Sequence, residues 1–190
     1  GFSSVMFDGS TLSYEENIRQ TREVVKMCHA VGVSVEAELG AVGGDEGGAL
    51  YGHADEACFT DPQRAREFVD STGIDALAVA IGNAHGKYRG EPKLDFPRLD
   101  AICQQTGLPL VLHGGSGISD ADFHRAIELG IHKINFYTGM SQAALAAVEQ
   151  RMANRQPLYD EFAELLLSIE EAITDTVAEQ MRIFGSAGQA

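Results

Sequence analysis

The chain has 190 residues, of which 28 are Asp or Glu and 14 are Lys or Arg, giving a formal net charge of −14. So acidic a chain, with no basic run, lacks the positive patch that nucleic acid or an anionic membrane would need. No stretch reaches the roughly 18 consecutive apolar residues of a membrane helix, and three widely spaced cysteines fit a reducing cytoplasm. We therefore expect a cytoplasmic protein with a single domain over residues 1–190.

Short apolar segments alternate with longer amphipathic segments along the chain. The apolar segments predict five strands, at residues 4–7, 33–39, 76–81, 108–112 and 132–136. Capping residues predict helices that begin after Ser13, Asp61 and Ser119. Two longer helices are predicted after the last strand, at residues 142–154 and 158–184.

Strand–helix units in this order leave two architectures for the α/β chain. One is an open, doubly wound sheet, and the other is part of a (β/α)8 TIM barrel. A whole barrel takes about 250 residues, so five strands would form only its C-terminal portion. The chain begins at Gly1 inside an apolar run, and we expect the first strands of such a barrel to be absent from it.

Charged and imidazole side chains stand where the predicted strands end. Glu38 closes the second strand, His85 follows the third and His113 follows the fourth, with Gly directly after each histidine. Since ligands of parallel α/β folds bind at the carboxyl ends of strands, these side chains are expected to converge. Two imidazoles and a carboxylate suit Zn²⁺ or a similar ion, although each histidine alone could simply bond a neighbouring backbone group.

A glycine-rich segment, Leu-His-Gly-Gly-Ser-Gly, occupies residues 112–117 between a strand and a capped helix. Backbone N–H groups in such a loop, with the Ser116 hydroxyl, can hold a phosphate. Asn135 and Thr138, after the last strand, could supply further donors. The alternative is a tight turn that needs glycine for its backbone angles alone.

An acidic loop follows Glu38 closely, because residues 43–48 read Gly-Gly-Asp-Glu-Gly-Gly. Glycines on both sides would let the loop carry Glu46 or Asp45 to a substrate for proton transfer. A solvated acidic turn explains the same residues equally well.

Five motifs occur in a fixed order: E-A-E-L-G, G-G-D-E, A-H-G, L-H-G-G-S-G and K-I-N-x-x-T. Together they resemble the class II, metal-dependent ketose-bisphosphate aldolases, in the tagatose- and fructose-bisphosphate branch. The resemblance covers nearly the whole chain and favours the barrel over the open sheet. It implies a lyase of carbohydrate metabolism and glycolysis that cleaves a phosphorylated ketose to dihydroxyacetone phosphate and an aldehyde. The two predicted C-terminal helices, with their apolar stripe, favour a homodimer or tetramer.

The resemblance also implies a role for each motif. His85 and His113 would bind Zn²⁺, and Glu38 would lie close to the metal or bind it, with a monovalent cation as a second candidate ion. Glu46 would assist proton transfer as the catalytic residue. The dihydroxyacetone phosphate half of the substrate would be held by Gly86, Gly114, Gly115, Ser116, Asn135 and Thr138.

Two departures from the family pattern qualify these expectations. The chain has no paired Asp-His, which in the family carries the third zinc ligand and the catalytic Asp, so we expect little activity from this chain alone. Phe136 and Tyr137 stand before Thr138 where a small or acidic residue is common, and their bulk would reshape the aldehyde end of the pocket. The alternatives are a non-catalytic barrel relative that acts as a binding or subunit module, and another phosphate-binding barrel enzyme such as an isomerase.

Overall fold

The computed structural model describes residues 1–43, 56–86, 88, 90–155 and 162–189. The chain divides into two compact units, Gly1–Asn135 and Phe136–Ala190. In the first unit, a parallel sheet has its strands in chain order. The strands are β1 (Ser4–Phe7), β2 (Ser34–Leu39), β3 (Ala76–Val79), β4 (Leu110–Leu112) and β5 (Ile131–Ile134).

The order of the strands decides between the two predicted architectures. A doubly wound sheet reverses its strand order at a switch point, whereas each strand here pairs with the next one along the chain. Chain-order pairing of parallel strands is the arrangement of a (β/α) barrel. The predicted α/β fold with five barrel-type strands is therefore confirmed, with strand ends shifted by at most two residues.

Helices of the first unit begin at the predicted caps. The side chains of Ser13, Asp61 and Ser119 each accept a hydrogen bond from the backbone N–H three residues later. These bonds satisfy donors that the first helical turn leaves without an intrahelical partner. The helices of this unit are α1 (Tyr14–His29), α2 (Pro62–Thr72), α3 (Phe96–Thr106) and α4 (Asp120–Glu128), with a short 3₁₀ helix at Glu56–Cys58.

Helix α3 was not among the predicted helices. Asp95 caps it by accepting from Arg98 N–H, Pro97 lies in its first turn, and Gly107 ends it in the left-handed conformation. Asp61 and Pro62 give the same signal before α2. The start of α3 was thus readable from its sequence, since Pro favours the first turn and Gly the position after the last.

The core of the first unit lies between the sheet and the helices. Alternate residues of β2 face opposite sides of the sheet, so Val35 and Ala37 pack toward the helices while Glu36 and Glu38 point away from them. All four residues are buried. The fully buried apolar residues include Phe68, Leu77, Leu99, Ile102, Leu110, Phe123 and Ile131.

The second unit contains two helices, α5 (Thr138–Ala153) and α6 (Phe162–Ile183), that pack against each other. An ion pair joins Arg151 to Glu164, and the rings of Phe136 and Phe184 meet edge to face with centroids 6.5 Å apart. Among the described residues, no helix is both long enough and apolar enough to cross a membrane. That residues 1–190 form one domain stays a prediction.

Candidate functional site

The carboxyl ends of β2, β3 and β4 bring Glu38, His85 and His113 together, as their places in the sequence predicted. Nδ1 of His113 lies 3.1 Å from Oε2 of Glu38, and both side chains are almost fully buried. The imidazole rings of His85 and His113 have centroids 5.9 Å apart and are inclined by 56°. Three strands thus place two imidazoles and a carboxylate in one small volume.

A second carboxylate, Glu36, belongs to this cluster and was not predicted as a site residue. Its Oε1 lies 3.0 Å from Nε2 of His113, and its Oε2 accepts from Lys133 Nζ at 2.6 Å. The period of two along a strand puts Glu36 on the same face as Glu38, and this signal could have identified it. Lys133 lies on β5 and is not among the predicted site residues either.

The electrostatics of His113 follow from its place between two carboxylates. Burial by itself lowers the pKa of His113, but the bonds to Glu36 and Glu38 outweigh burial and raise the pKa to about 9. For Glu36 the directions are reversed: burial raises its pKa, but the bonds to His113 and Lys133 outweigh burial and bring the pKa below its ordinary value. In the metal-free protein, a cationic imidazole therefore lies between two buried carboxylates at neutral pH.

Side chains from the loop after β3 hold the backbone of the loop after β4. Asn83 is buried, and its Nδ2 donates to His113 O at 3.0 Å while its Oδ1 accepts from Ile81 N–H. The Tyr88 hydroxyl donates to Gly114 O at 3.0 Å and accepts from Ala84 N–H at 2.8 Å. His113 O and the next carbonyl are thus both held by the loop that carries His85.

The glycine-rich loop after β4 lies against the loop after β3. Gly114 has a φ of +66°, and a Cβ atom at this position would lie 2.1 Å from Ala84 O. Gly115 N–H donates to Asn135 O at 3.2 Å, which connects this loop to the end of β5. The structure therefore brings Gly114, Gly115 and Asn135 into one neighbourhood, with Ser116 half-buried beside them.

The end of β2 is fixed by two other buried polar side chains. Asn17 of α1 donates from Nδ2 to Glu38 O at 3.0 Å. Thr60 donates its hydroxyl to Leu39 O and accepts from Ala80 N–H, so it joins β2 to β3. These bonds satisfy polar groups that would be costly to leave unpaired in the interior, and they position the backbone of Glu38.

Two predicted site residues cannot be related to this cluster. Glu46 lies outside the described residues. Thr138 begins α5 in the second unit and is half-buried there.

Gly86 follows His85 with a φ of +80°, a conformation that favours glycine. The loop itself is anchored by His85 N–H, which donates to Gly43 O at 2.7 Å.

The donor set can be compared with the needs of a divalent metal. Since Zn–N bonds are about 2 Å long, two imidazoles on one tetrahedral ion have ring centres roughly 5 Å apart. The 5.9 Å between His85 and His113 is close to this value, and Glu38 supplies the carboxylate that Zn²⁺ accepts. These residues fit a divalent ion in type, and the two imidazoles are close to the spacing that it needs. Within the described ranges, however, no three His, Cys, Asp or Glu side chains form a metal-binding group.

Comparisons with known proteins agree with this geometry. The family model for fructose-bisphosphate aldolase class-II matches residues 1–189. A curated fructose-bisphosphate aldolase from Staphylococcus aureus is 46% identical over all 190 residues. The crystal structure of the YdjI aldolase from Escherichia coli K12 has a TM-score of 0.85 and 43% identity to the chain, covering 100% of the chain and 64% of that structure.

Parallel strands in chain order, with polar side chains converging at their carboxyl ends, define a barrel-type α/β protein. Within that class, the chain belongs to the class II fructose-bisphosphate aldolase family, a family of lyases. It spans 65% of the length of the Staphylococcus aureus relative.

Proposed function

We propose that this chain supplies most of the active site of a zinc-dependent aldolase that cleaves a phosphorylated ketose, of the tagatose or fructose 1,6-bisphosphate type, to dihydroxyacetone phosphate and an aldehyde. The observation that carries the proposal is the cluster of His85, His113 and Glu38 at the strand ends of a chain from this family. A purely structural role gives no reason for two buried carboxylates around one imidazole, because such groups are costly to bury.

His85 and His113 are the proposed Zn²⁺ ligands, and Glu38 is the carboxylate that binds the ion or lies next to it. A divalent cation acts as a Lewis acid that lowers the cost of the negative charge developing when the C3–C4 bond of a ketose breaks. Glu36 holds Nε2 of His113 and thereby fixes the orientation of the ring. Carboxylate partners of this kind orient the histidines of metal sites and raise their basicity.

The dihydroxyacetone phosphate half is proposed to bind the glycine-rich loop and the end of β5. Backbone N–H groups of the loop and the Ser116 hydroxyl can donate to phosphate oxygens. The proposed binding residues are Gly86, Gly114, Gly115, Ser116, Asn135 and Thr138. Glu46 is proposed to move a proton during cleavage, as an acid or base from the neighbouring loop.

The residues before Thr138 bear on the aldehyde end of the substrate. Phe136 and Tyr137 add bulk before Thr138, so the ketose need not be a standard bisphosphate.

We propose a homodimer or tetramer, supported by exposed apolar residues on the second unit that include Leu145, Phe162 and Leu167. A cytoplasmic location is supported by free thiols at all three cysteines.

The experiment compares zinc content and aldol cleavage in His85→Ala, His113→Ala and His124→Ala variants of the protein that carries this chain. His124 is an exposed histidine on α4 and serves as the matched control. Loss of Lewis-acid stabilisation worth several kcal/mol lowers kcat/KM roughly a thousandfold or more. We expect that loss, together with loss of zinc, in the two strand-end variants but not in the control.

His113→Ala removes the partner that two buried carboxylates share and can unfold the chain, so the half-buried His85 is the decisive position. Retention of zinc and of cleavage in a folded His85→Ala variant would contradict the proposal. Turnover that resists chelators would instead favour an isomerase-type barrel enzyme. The non-catalytic alternative predicts that the parent protein neither binds zinc nor cleaves any ketose bisphosphate.

A further inference from the structure

A continuous line of hydrogen bonds crosses the carboxyl ends of β3, β4 and β5. Ala84 N–H donates to the Tyr88 oxygen at 2.8 Å, and the Tyr88 hydroxyl donates to Gly114 O at 3.0 Å. Gly114 O and Gly115 N–H belong to the same peptide group, and Gly115 N–H donates to Asn135 O at 3.2 Å. The Tyr88 hydroxyl is the one side-chain group in this line. Every hydrogen bond of the line is donated in the same direction, from the loop after β3 towards Asn135.

The line connects the three loops that carry the proposed site. Ala84 directly precedes His85, Gly114 directly follows His113, and Asn135 is a proposed substrate-binding residue. The Tyr88 oxygen therefore links two peptide groups, 83–84 and 114–115, that each lie one residue away from a histidine. Asn83 reinforces the contact, because its Nδ2 donates to His113 O.

The phenol must keep its proton to perform this role, since the bond to Gly114 O requires an O–H donor. Burial raises the pKa of Tyr88 to about 12, against the opposing effect of the Ala84 N–H bond. The ring packs beside the loop after β4, where a Cβ atom on Gly117 would lie 3.3 Å from Tyr88 Cδ2. Both bonds of the hydroxyl go to backbone groups, so the phenol acts through the loops.

We propose that Tyr88 is a positioning residue whose hydroxyl couples the loops after β3, β4 and β5 and so sets the spacing between His85 and His113. This inference rests on the proposed function for its metal and substrate. The coupling itself needs neither metal nor substrate, because the bonds of the Tyr88 hydroxyl go to backbone groups. The two parts can therefore be tested separately.

The first experiment measures amide hydrogen exchange in the metal-free protein for the parent, Tyr88→Phe and Tyr14→Phe. Tyr14 is the matched control, because its hydroxyl donates to a backbone carbonyl, Arg64 O, away from the strand ends. Loss of one net hydrogen bond corresponds to an exchange rate about two- to tenfold faster. We expect this increase at both Ala84 and Gly115 in Tyr88→Phe, and at neither residue in Tyr14→Phe.

The second experiment replaces the metal with Co²⁺ and records its visible spectrum and its affinity. If Tyr88 sets the spacing of the two imidazoles, Tyr88→Phe shifts the Co²⁺ bands and weakens binding about tenfold, as loss of outer-shell partners of metal sites does. Tyr14→Phe keeps the parent spectrum. A hydroxyl that only stabilised the fold would lower the melting temperature without changing the Co²⁺ bands.

Each outcome tests either the coupling of the loops or the positioning of the two histidines. Unchanged exchange at Gly115 in Tyr88→Phe overturns the coupling, whatever happens at Ala84. Faster exchange at both amides with an unaltered Co²⁺ spectrum overturns the positioning of the histidines. If the parent protein takes up neither Co²⁺ nor Zn²⁺, the proposed metal-dependent function fails, while the exchange data still establish or overturn the coupling of the loops.

Discussion

At the scale of single residues, His113 is the central residue of the candidate site. Its imidazole lies between Glu36 and Glu38, and its carbonyl accepts from Asn83. Removing one member of so buried a group leaves its partner desolvated and unpaired, which is generally more costly than the bond itself is favourable. Substitutions around His113 are therefore expected to affect folding and metal binding together.

Lys133 offers a way to perturb this cluster from its exposed edge. Its Nζ bonds the buried carboxylate of Glu36, while half of its own side chain is exposed to solvent. Lys133→Met should lower the free energy of unfolding of the metal-free protein by about 1–2 kcal/mol, since solvent screens part of the pair. Urea denaturation at pH 7 measures this loss.

Two control variants accompany Lys133→Met. Lys133→Arg keeps a cationic donor and should recover most of the lost stability. Lys26→Met makes the same charge change at an exposed position of α1 and should stay within about 0.5 kcal/mol of the parent. Equal stability of Lys133→Met and the parent would mean that Lys133 does not stabilise Glu36.

At the scale of elements, the loops after β3 and β4 form one packed body. Gly114 permits this because it adopts a positive φ and because its Cα lies against the Ala84 carbonyl. Glycine is needed here for two reasons, the backbone angle and the space, and the two can be separated by experiment.

Gly114→Ala and Gly107→Ala form a matched pair for that purpose. Gly107 ends α3 with a φ of +63° and has nothing within 4 Å of the added Cβ, so its substitution should cost about 1 kcal/mol for the backbone angle alone. Gly114→Ala adds an overlap with Ala84 O and should cost about 1–3 kcal/mol more. Thermal and urea unfolding of both variants measure the difference, and equal costs would show that the loops separate without penalty.

Most elements could be predicted from the sequence because their signals are local. The Ser13, Asp61 and Ser119 caps and the apolar strand segments each act within a few residues. The places of His85 and His113 followed from the rule that parallel strands share a carboxyl edge. Glu36 could also have been identified, since it shares the face of β2 with Glu38. Tyr88 could not, because its role depends on a partner 26 residues away that its own loop does not reveal.

At the scale of the whole first unit, the two ends of the sheet have different tasks. The carboxyl end carries the histidines and buried carboxylates, whereas Asp75 at the opposite end joins neighbouring elements. There, Asp75 accepts from Val35 N–H at 2.7 Å and pairs with His29 Nε2 at 2.8 Å, joining the start of β3 to β2 and to the end of α1.

Asp75 should therefore contribute to stability and not to metal binding. Burial raises the pKa of Asp75, but its bonds to His29 and to Val35 N–H bring the pKa below its ordinary value. A lowered carboxyl pKa in the folded state means that the stabilisation is fully present above pH about 4 and is lost as pH falls through the folded pKa.

Asp75→Asn should accordingly be less stable than the parent by up to about 1 kcal/mol at pH 7, because half-exposed pairs contribute modestly. The difference should shrink as urea denaturation is repeated from pH 5 down to pH 3. Zinc affinity at pH 7 should match that of the parent. A gap that persists at pH 3, or a changed zinc affinity, would contradict this assignment.

The contact between Gly114 and Ala84 also bears on how such a chain can diversify. Asn83 and Tyr88 bond consecutive carbonyls of the loop after β4, so a residue inserted next to either pair would disturb the contact between the two loops. A change of length in one loop would therefore need a compensating change in the other.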